Sequence, residues 1–203
     1  MPSNGEPVFF LSYARTAGSR RVVDFFNDLS TNIADLVDPE VGAEPGFMDK
    51  SIPGGGRWTD ELLHAVGSCH VFVALLSMPF LNSTWCGMEW YAFARRRVVD
   101  KEGGSPRRTA ILPVIWAPWP GHVRIPAAVS EVQRFSPEGL PDAEITTLYR
   151  DEGLLGLQRI RPDAYESVVW RLARRVADIA YTHPVEPRVL RREHLRDIFQ
   201  EST

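Results

Sequence analysis

Glu89 is the residue whose chemistry most needs an explanation. It lies in Asn82-Ser83-Thr84-Trp85-Cys86-Gly87-Met88-Glu89-Trp90, which reads as the opening of a helix with Ser83 as its N-cap. On that helix Trp85 and Glu89 stand at i and i+4, so they share a face. Cys86, Met88, Trp90, Ala92 and Phe93 surround the acid, and no basic residue lies three or four positions from it. A capping box requires the acid three residues after the cap. From Asn82, Ser83 and Thr84 that position falls on Trp85, Cys86 and Gly87, never on Glu89. Two readings stay open: a salt bridge to a tertiary partner, or a lone carboxylate that does chemistry.

Other chemistries find little support. Gly54-Gly55-Gly56 lacks the Gly-Lys-Ser/Thr ending of a phosphate-binding P-loop. His64, His70, His122, His183 and His194 show no metal-ligand pairing, so no metal is expected. Ser77, Ser83 and Cys86 have no neighbouring His that the sequence would mark as a base. Arg95-Arg96-Arg97 reads as a solvated end to the Glu89 helix, where cations complement the dipole.

The elements that must hold Glu89 alternate along the chain. Val8 to Tyr13 reads as a buried strand, and a helix follows with Val22, Val23, Phe25, Phe26, Leu29, Ile33 and Leu36 at helical spacing. Gly46 to Asp49 is a short strand ending at an acid, before the glycine-rich loop Lys50 to Gly56. A helix over roughly Arg57 to Val66 leads to Val71–Leu76, the clearest central strand. The Glu89 helix is predicted to run to about Val99, and Lys101 to Arg108 is a polar surface loop. Ala110 to Trp116 is a fourth strand, whose Pro113 suggests an edge. Val132 to Phe135 is a candidate fifth strand. A Pro/Gly-punctuated stretch then leads to Leu154, Leu155, Leu157 and Ile160, before a long helix from about Asp163 to Ala180.

Strand and helix in alternation imply an α/β fold: a flavodoxin-like, doubly wound parallel sheet of about five strands with helices on both faces. With strand order 2-1-3-4-5, ligands bind at the carboxyl ends of strands one and three, where the order reverses. Those ends are Ser12-Tyr13-Ala14-Arg15 and Ser77-Met78-Pro79, and the start of the Glu89 helix emerges at the same edge.

Composition sets the outer bounds. At 203 residues, 44% hydrophobic and 24% charged, the chain can build one substantial core. A domain over residues 1–182 is expected, with a tail at 183–203 whose amphipathic patch, Val189, Leu190, Leu195, Ile198 and Phe199, leaves two alternatives: docking on the domain, or linking it to a further one. The formal charge of −3 gives no general reason to expect nucleic acid, with local Arg clusters left as exceptions. The apolar runs are too short to span a bilayer, and Met1 to Pro7 carries no signal pattern, so neither membrane nor export is expected. Two cysteines, Cys69 and Cys86, make no disulfide framework, which fits the cytoplasm.

Four motifs in order carry a family resemblance. Phe9-Phe10-Leu11-Ser12-Tyr13-Ala14, then Phe47-Met48-Asp49 with Ile52-Pro53-Gly54, then Val73 to Ser77, then Ser83-Thr84-Trp85-Cys86-Gly87-Met88-Glu89 resemble a bacterial Toll/interleukin-1 receptor (TIR) domain. The resemblance covers about Val8 to Ala180 and looks closest to the FxsC-type TIR-like subfamily, which is associated with peptide-maturation loci. It implies NAD⁺ glycohydrolase chemistry in bacterial immunity or stress signalling, with NAD⁺ as substrate and no cofactor. Glu89 matches the family's catalytic glutamate. Tyr13, Arg15, Asp49, Trp85 and Ser77 fall on substrate-binding or pocket-edge positions, and Lys50, Ile52, Pro53 and Gly54 belong to the BB loop. It also implies self-association through TIR–TIR contacts. The other class it allows is a non-catalytic interaction module, with Glu89 inherited or structural.

Overall fold

The computed structural model describes residues 6–15, 19–37, 45–49, 59–99, 109–140 and 142–200. Four strands are present among them: β1 (Phe9–Ser12), β2 (Gly46–Met48), β3 (Val71–Leu76) and β4 (Ile111–Ile115). All pair in parallel, in the order β2-β1-β3-β4. Every residue of β1, β3 and β4 is buried, which is why these strands read as unbroken apolar runs.

The helices are α1 (Ser19–Ala34), α2 (Asp60–Ser68), α3 (Met78–Leu81), α4 (Thr84–Ala94), α5 (Ala127–Ser130), α6 (Ala143–Ile160) and α7 (Pro162–Thr182). Strand alternation sorts the core into two layers. Phe10 stacks on Phe47 and Phe72, with ring centroids 5.8 and 5.6 Å apart, and Phe72 meets Trp90 and Phe93 of α4. On the other face Phe9 packs on Phe26 of α1, and α7 packs on α1 and β3. The predicted apolar stripe of α7, Val168, Val169, Leu172, Val176 and Ile179, is wholly buried.

The fifth strand expected at Val132 to Phe135 is not formed: this segment has no ladder, and β4 is the edge of the described sheet. The reason lies in how β4 satisfies its outer groups. Phe72 N–H donates to the Ala110 carbonyl and Trp116 N–H to the Leu76 carbonyl, so the even-numbered residues of β4 face β3. On the outer side Ile111 N–H donates to Thr109 Oγ1, Ile115 N–H donates to Tyr149 Oη at 2.9 Å, and the Pro113 carbonyl accepts from Phe135 N–H. Pro113 thus sits where its missing N–H leaves no gap.

The stretch leading to Leu154, expected to be punctuated by Pro and Gly, is helical from Ala143, and Leu154 to Ile160 continue it as part of α6. The helix breaks at Gly153, with φ 65° and ψ 178°, and resumes over Leu154 to Ile160. A Cβ on Gly153 would lie 2.6 Å from the Trp116 carbonyl oxygen at the end of β4. This backbone region is essentially glycine-only. Gly153→Ala is expected to cost about 2–3 kcal/mol. Thermal unfolding should shift down by roughly 5–10 °C; an unchanged melting temperature would mean that the close approach does not hold the turn.

Two boundaries differ from expectation. The helix predicted over Arg57 to Val66 is described from Asp60 to Ser68, capped by Thr59 Oγ1 accepting from Leu62 N–H; Arg57 and Trp58 lie outside the described residues, as does the predicted loop Lys101 to Arg108. α4 ends at Ala94 rather than near Val99, and Val98 instead forms an antiparallel bridge with Val185.

The solvated reading of Arg95-Arg96-Arg97 is overturned for Arg96, which is buried. Its Nη1 donates to the Cys69 carbonyl at 2.5 Å and the Val66 carbonyl at 3.0 Å, at the end of α2. Its Nε and Nη2 reach the carbonyls of Glu186 and Val185 in the C-terminal segment. The guanidinium also lies 5.0 Å from the Phe93 ring centroid. Helix-terminal carbonyls need donors, and here a guanidinium supplies them. Burial lowers the Arg96 pKa from its usual value, against the pull of the Cys69 group. Farther along, Phe199 is buried against Phe80 and Trp90, so the segment after α7 is packed onto the sheet-bearing body.

Candidate active site

The carboxyl ends of β1, β2 and β3 converge where the strand order reverses, between β1 and β3. A cavity of about 220 Å³ opens there. β1 supplies Tyr13 and Arg15 at its exit, β2 supplies Asp49, Pro79 follows β3, and Trp85 and Glu89 come from α4. Ser83 fixes the entry of α4: its Oγ accepts from Cys86 N–H at 3.2 Å. That start places Trp85 and Glu89 one turn apart, both on the cavity wall.

Glu89 is 3% exposed. Its Oε2 accepts a hydrogen bond from Ser12 Oγ at 2.5 Å, and Trp85, one turn earlier on α4, lines the same cavity wall. Among the described residues no cation forms a salt bridge with it. The salt-bridged reading of Glu89 is therefore replaced by a hydrogen-bonded carboxyl group in a cavity wall. Burial pushes its pKa up to about 8, and the negative charge of Asp49 adds to the rise. The Ser12 hydrogen bond, the Arg15 charge and the nearby Trp85 indole oppose this but do not cancel it.

Arg15 and Asp49 form an ion pair at the cavity edge, with both side chains partly exposed. Tyr13 Oη donates to the Asp49 carbonyl at 2.9 Å, tying the exits of β1 and β2 together. Burial raises the Tyr13 pKa above its ordinary value, against the pull of Arg15, so the phenol stays protonated at neutral pH. Cys86 is buried and its thiol is pushed well above the usual range, first by burial and then by Glu89, which leaves it without nucleophilic character.

The sequence-derived residues thus divide by position. Glu89, Trp85, Tyr13, Arg15 and Asp49 share one cavity. Ser77 is buried beside it as the N-cap of α3, accepting from Phe80 N–H, and does not line the wall. Lys50, Ile52, Pro53 and Gly54 lie outside the described residues. Ser12, read as a strand end, is the closest polar partner of Glu89. One signal for it was available: period-two alternation puts Ser12 on the same face as Phe10, the face that α4 covers.

No group of three or more potential metal ligands occurs among the described residues, and no described helix is long and apolar enough to cross a membrane. No curated protein matches the chain. A family model for the TIR domain matches residues 9–144, from the first residue of β1 past the start of α6. That match spans more than half of the sequence and includes every strand and every cavity residue described above. The parallel sheet and its switch-point cavity agree with it, and the chain belongs to the TIR-domain family.

Proposed function

We propose that the chain is an NAD⁺ glycohydrolase, cleaving the bond between nicotinamide N1 and ribose C1′ with Glu89 as its single catalytic carboxylate. The observation that carries this reading is a buried carboxyl group with no described ion-pair partner, held in the wall of a switch-point cavity. On cleavage the bonding pair goes to the pyridinium nitrogen, so nicotinamide leaves neutral and needs no acid. Positive charge develops on the sugar. Water then adds at C1′ and gives up its proton, yielding ADP-ribose; attack by the adenine ring instead gives a cyclic product. One carboxylate suffices, where ordinary glycosides require two.

Ionised Glu89 would stabilise the sugar cation through a desolvated, short-range field. With a pKa near 8 in the free protein, it ionises more readily once a pyridinium cation arrives beside it. Trp85 offers a ring face for nicotinamide, and Arg15, oriented by Asp49, offers a guanidinium for the nearest phosphate. The cavity of about 220 Å³ suits the nicotinamide riboside end rather than a whole dinucleotide. The remainder calls for surface from elsewhere, which fits an enzyme active when copies assemble and the BB loop of a neighbour completes the site. Such an enzyme would act in the cytoplasm as an effector of bacterial immunity or stress signalling.

A second reading, a non-catalytic TIR interaction module serving peptide maturation, is favoured by one observation. Ser12 already holds the Glu89 carboxyl group by a hydrogen bond without any substrate. Nicotinamide release by purified protein, at low and high concentration and beside a folded Glu89→Ala variant, separates the two. The enzyme is expected to release nicotinamide faster than linearly with protein concentration. The variant should lose at least about a hundredfold of that rate. Equal release by the variant would remove Glu89 from the mechanism, and none even from crosslinked protein would favour the module.

A further inference from the structure

A second cleft lies on the opposite side of α4. The segment after α7 is anchored twice. At one end Val185 bridges Val98, Arg188 N–H donates to the Gly67 carbonyl at 2.8 Å, and Arg188 Nη1 donates to the Arg95 carbonyl at 2.8 Å. At the other end Phe199 is buried between Phe80 and Trp90. Between these anchors residues 189–196 run beside the second half of α4 and border an open cleft of about 310 Å³.

The charge of this cavity runs against that of the chain. Arg95, Arg188, Arg191 and Arg196 line it, with His194 beside them and Glu193 as the single acid, in a protein of formal charge −3. Compensation within the cleft is slight. Arg191 stands 4.0 Å from Glu193 with both side chains largely exposed, a pair worth little. Arg196 makes no hydrogen bond or ion pair among the described residues. Four arginines lining one small cleft with a single acid make it favourable for an anion.

The walls say which kind of anion. Arg95 stacks over Tyr91, 5.2 Å from its centroid, and donates to Tyr91 Oη at 2.7 Å, so a ring and a planar cation are fixed together. Leu190 and Leu195 add apolar surface. Guanidinium forks match phosphate oxygens, and a flat aromatic platform matches a base. The volume is at the lower end for small-ligand sites and suits one nucleotide. We propose that the arginine-lined cleft between α4 and the segment 189–196 binds a nucleoside phosphate. The site is independent of the chemistry at Glu89. Tyr91 follows Glu89 by two positions, about 200° around the helix, so an occupant of the cleft touches the same helix from its other side.

Isothermal titration of the full chain with ADP, inorganic pyrophosphate and adenosine, at one ionic strength, tests this. ADP is expected to bind, and adenosine at least about tenfold more weakly. Arg191→Glu/Arg196→Glu should weaken ADP by about tenfold or more, and Arg196→Gln should do so to a smaller extent. Arg159→Glu/Arg174→Glu, which makes the same change of net charge on α6 and α7, should leave binding unaltered, with all variants melting as the parent does. The proposal is overturned by any of three results. ADP fails to bind at millimolar concentration, its binding is untouched by the cleft variants, or the control weakens it equally. An oligonucleotide or acidic peptide that binds where ADP does not would overturn it as well.

Discussion

Glu89→Gln is expected to make the protein more stable at alkaline pH while removing its proposed activity. Folding raises the Glu89 pKa from the usual carboxyl range to about 8, chiefly by burial. The folded state therefore takes up a proton that the unfolded chain would release. Stability from the neutral carboxyl group is fully present below about pH 4.5 and is lost as pH rises through 8. Gln is neutral throughout and can still accept from Ser12. The variant should match the parent near pH 4 and exceed it above pH 8 by roughly 3–5 kcal/mol. That corresponds to a melting temperature about 10 °C higher at pH 9. Parallel unfolding curves across this range would show that Glu89 ionises freely in the folded protein. In the parent, nicotinamide release at low substrate should rise with pH towards a plateau above 8, because only the ionised form supports a sugar cation. A gain in stability from loss of a functional group is the usual signature of a site held in an unfavourable state.

Arg96→Ala should produce the largest loss of stability outside the sheet. The side chain joins two carbonyls at the end of α2 to two in the C-terminal segment. Charged hydrogen bonds contribute about 1.5–3 kcal/mol each, far from additively here, and the freed carbonyls lose a buried partner. A loss on the order of 3–4 kcal/mol is expected, with a fall in melting temperature of roughly 8–14 °C. Hydrogen exchange should also accelerate at Glu186 and Arg188, whose amides bond to the Arg97 and Gly67 carbonyls. Arg96→Lys should recover only part of the loss, since an ammonium lacks the reach of the guanidinium fork. A variant that melts lower without faster exchange at those amides would confine the role of Arg96 to α2.

Much of the architecture is legible because local and global signals agree. Ser83 caps α4 as its side chain dictates, and the apolar spacing of α7 is the face it buries. The buried runs Phe9–Ser12 and Val71–Leu76 become adjacent parallel strands. What escaped was decided by tertiary partners. Arg96 carries no mark distinguishing it from Arg95 and Arg97, and its burial comes from carbonyls 27 and 90 residues away in sequence. Gly153 and Gly156 weaken a helical reading of α6, yet the first is where the helix must bend to let Trp116 approach. The Val132 to Phe135 run has strand composition, but Tyr149 and Phe135 itself consume the groups a new ladder would need. At the site, the type and spacing of Trp85 and Glu89 were readable from α4 alone. The role of Ser12 depends on which helix covers β1.

The treatment of β4 bears on how copies of this chain can meet. A sheet grows across molecules only where backbone groups stand unsatisfied along an edge. Here that border is sealed by a hydroxyl on Ile115, a loop amide on Pro113 and a residue that has no amide to offer. The opposite border is β2, whose ladder is three residues long. Filament growth by continuous strand addition is therefore disfavoured on the β4 side. On that side helices and loops, rather than the strand border, are left to carry the contacts of any ordered assembly.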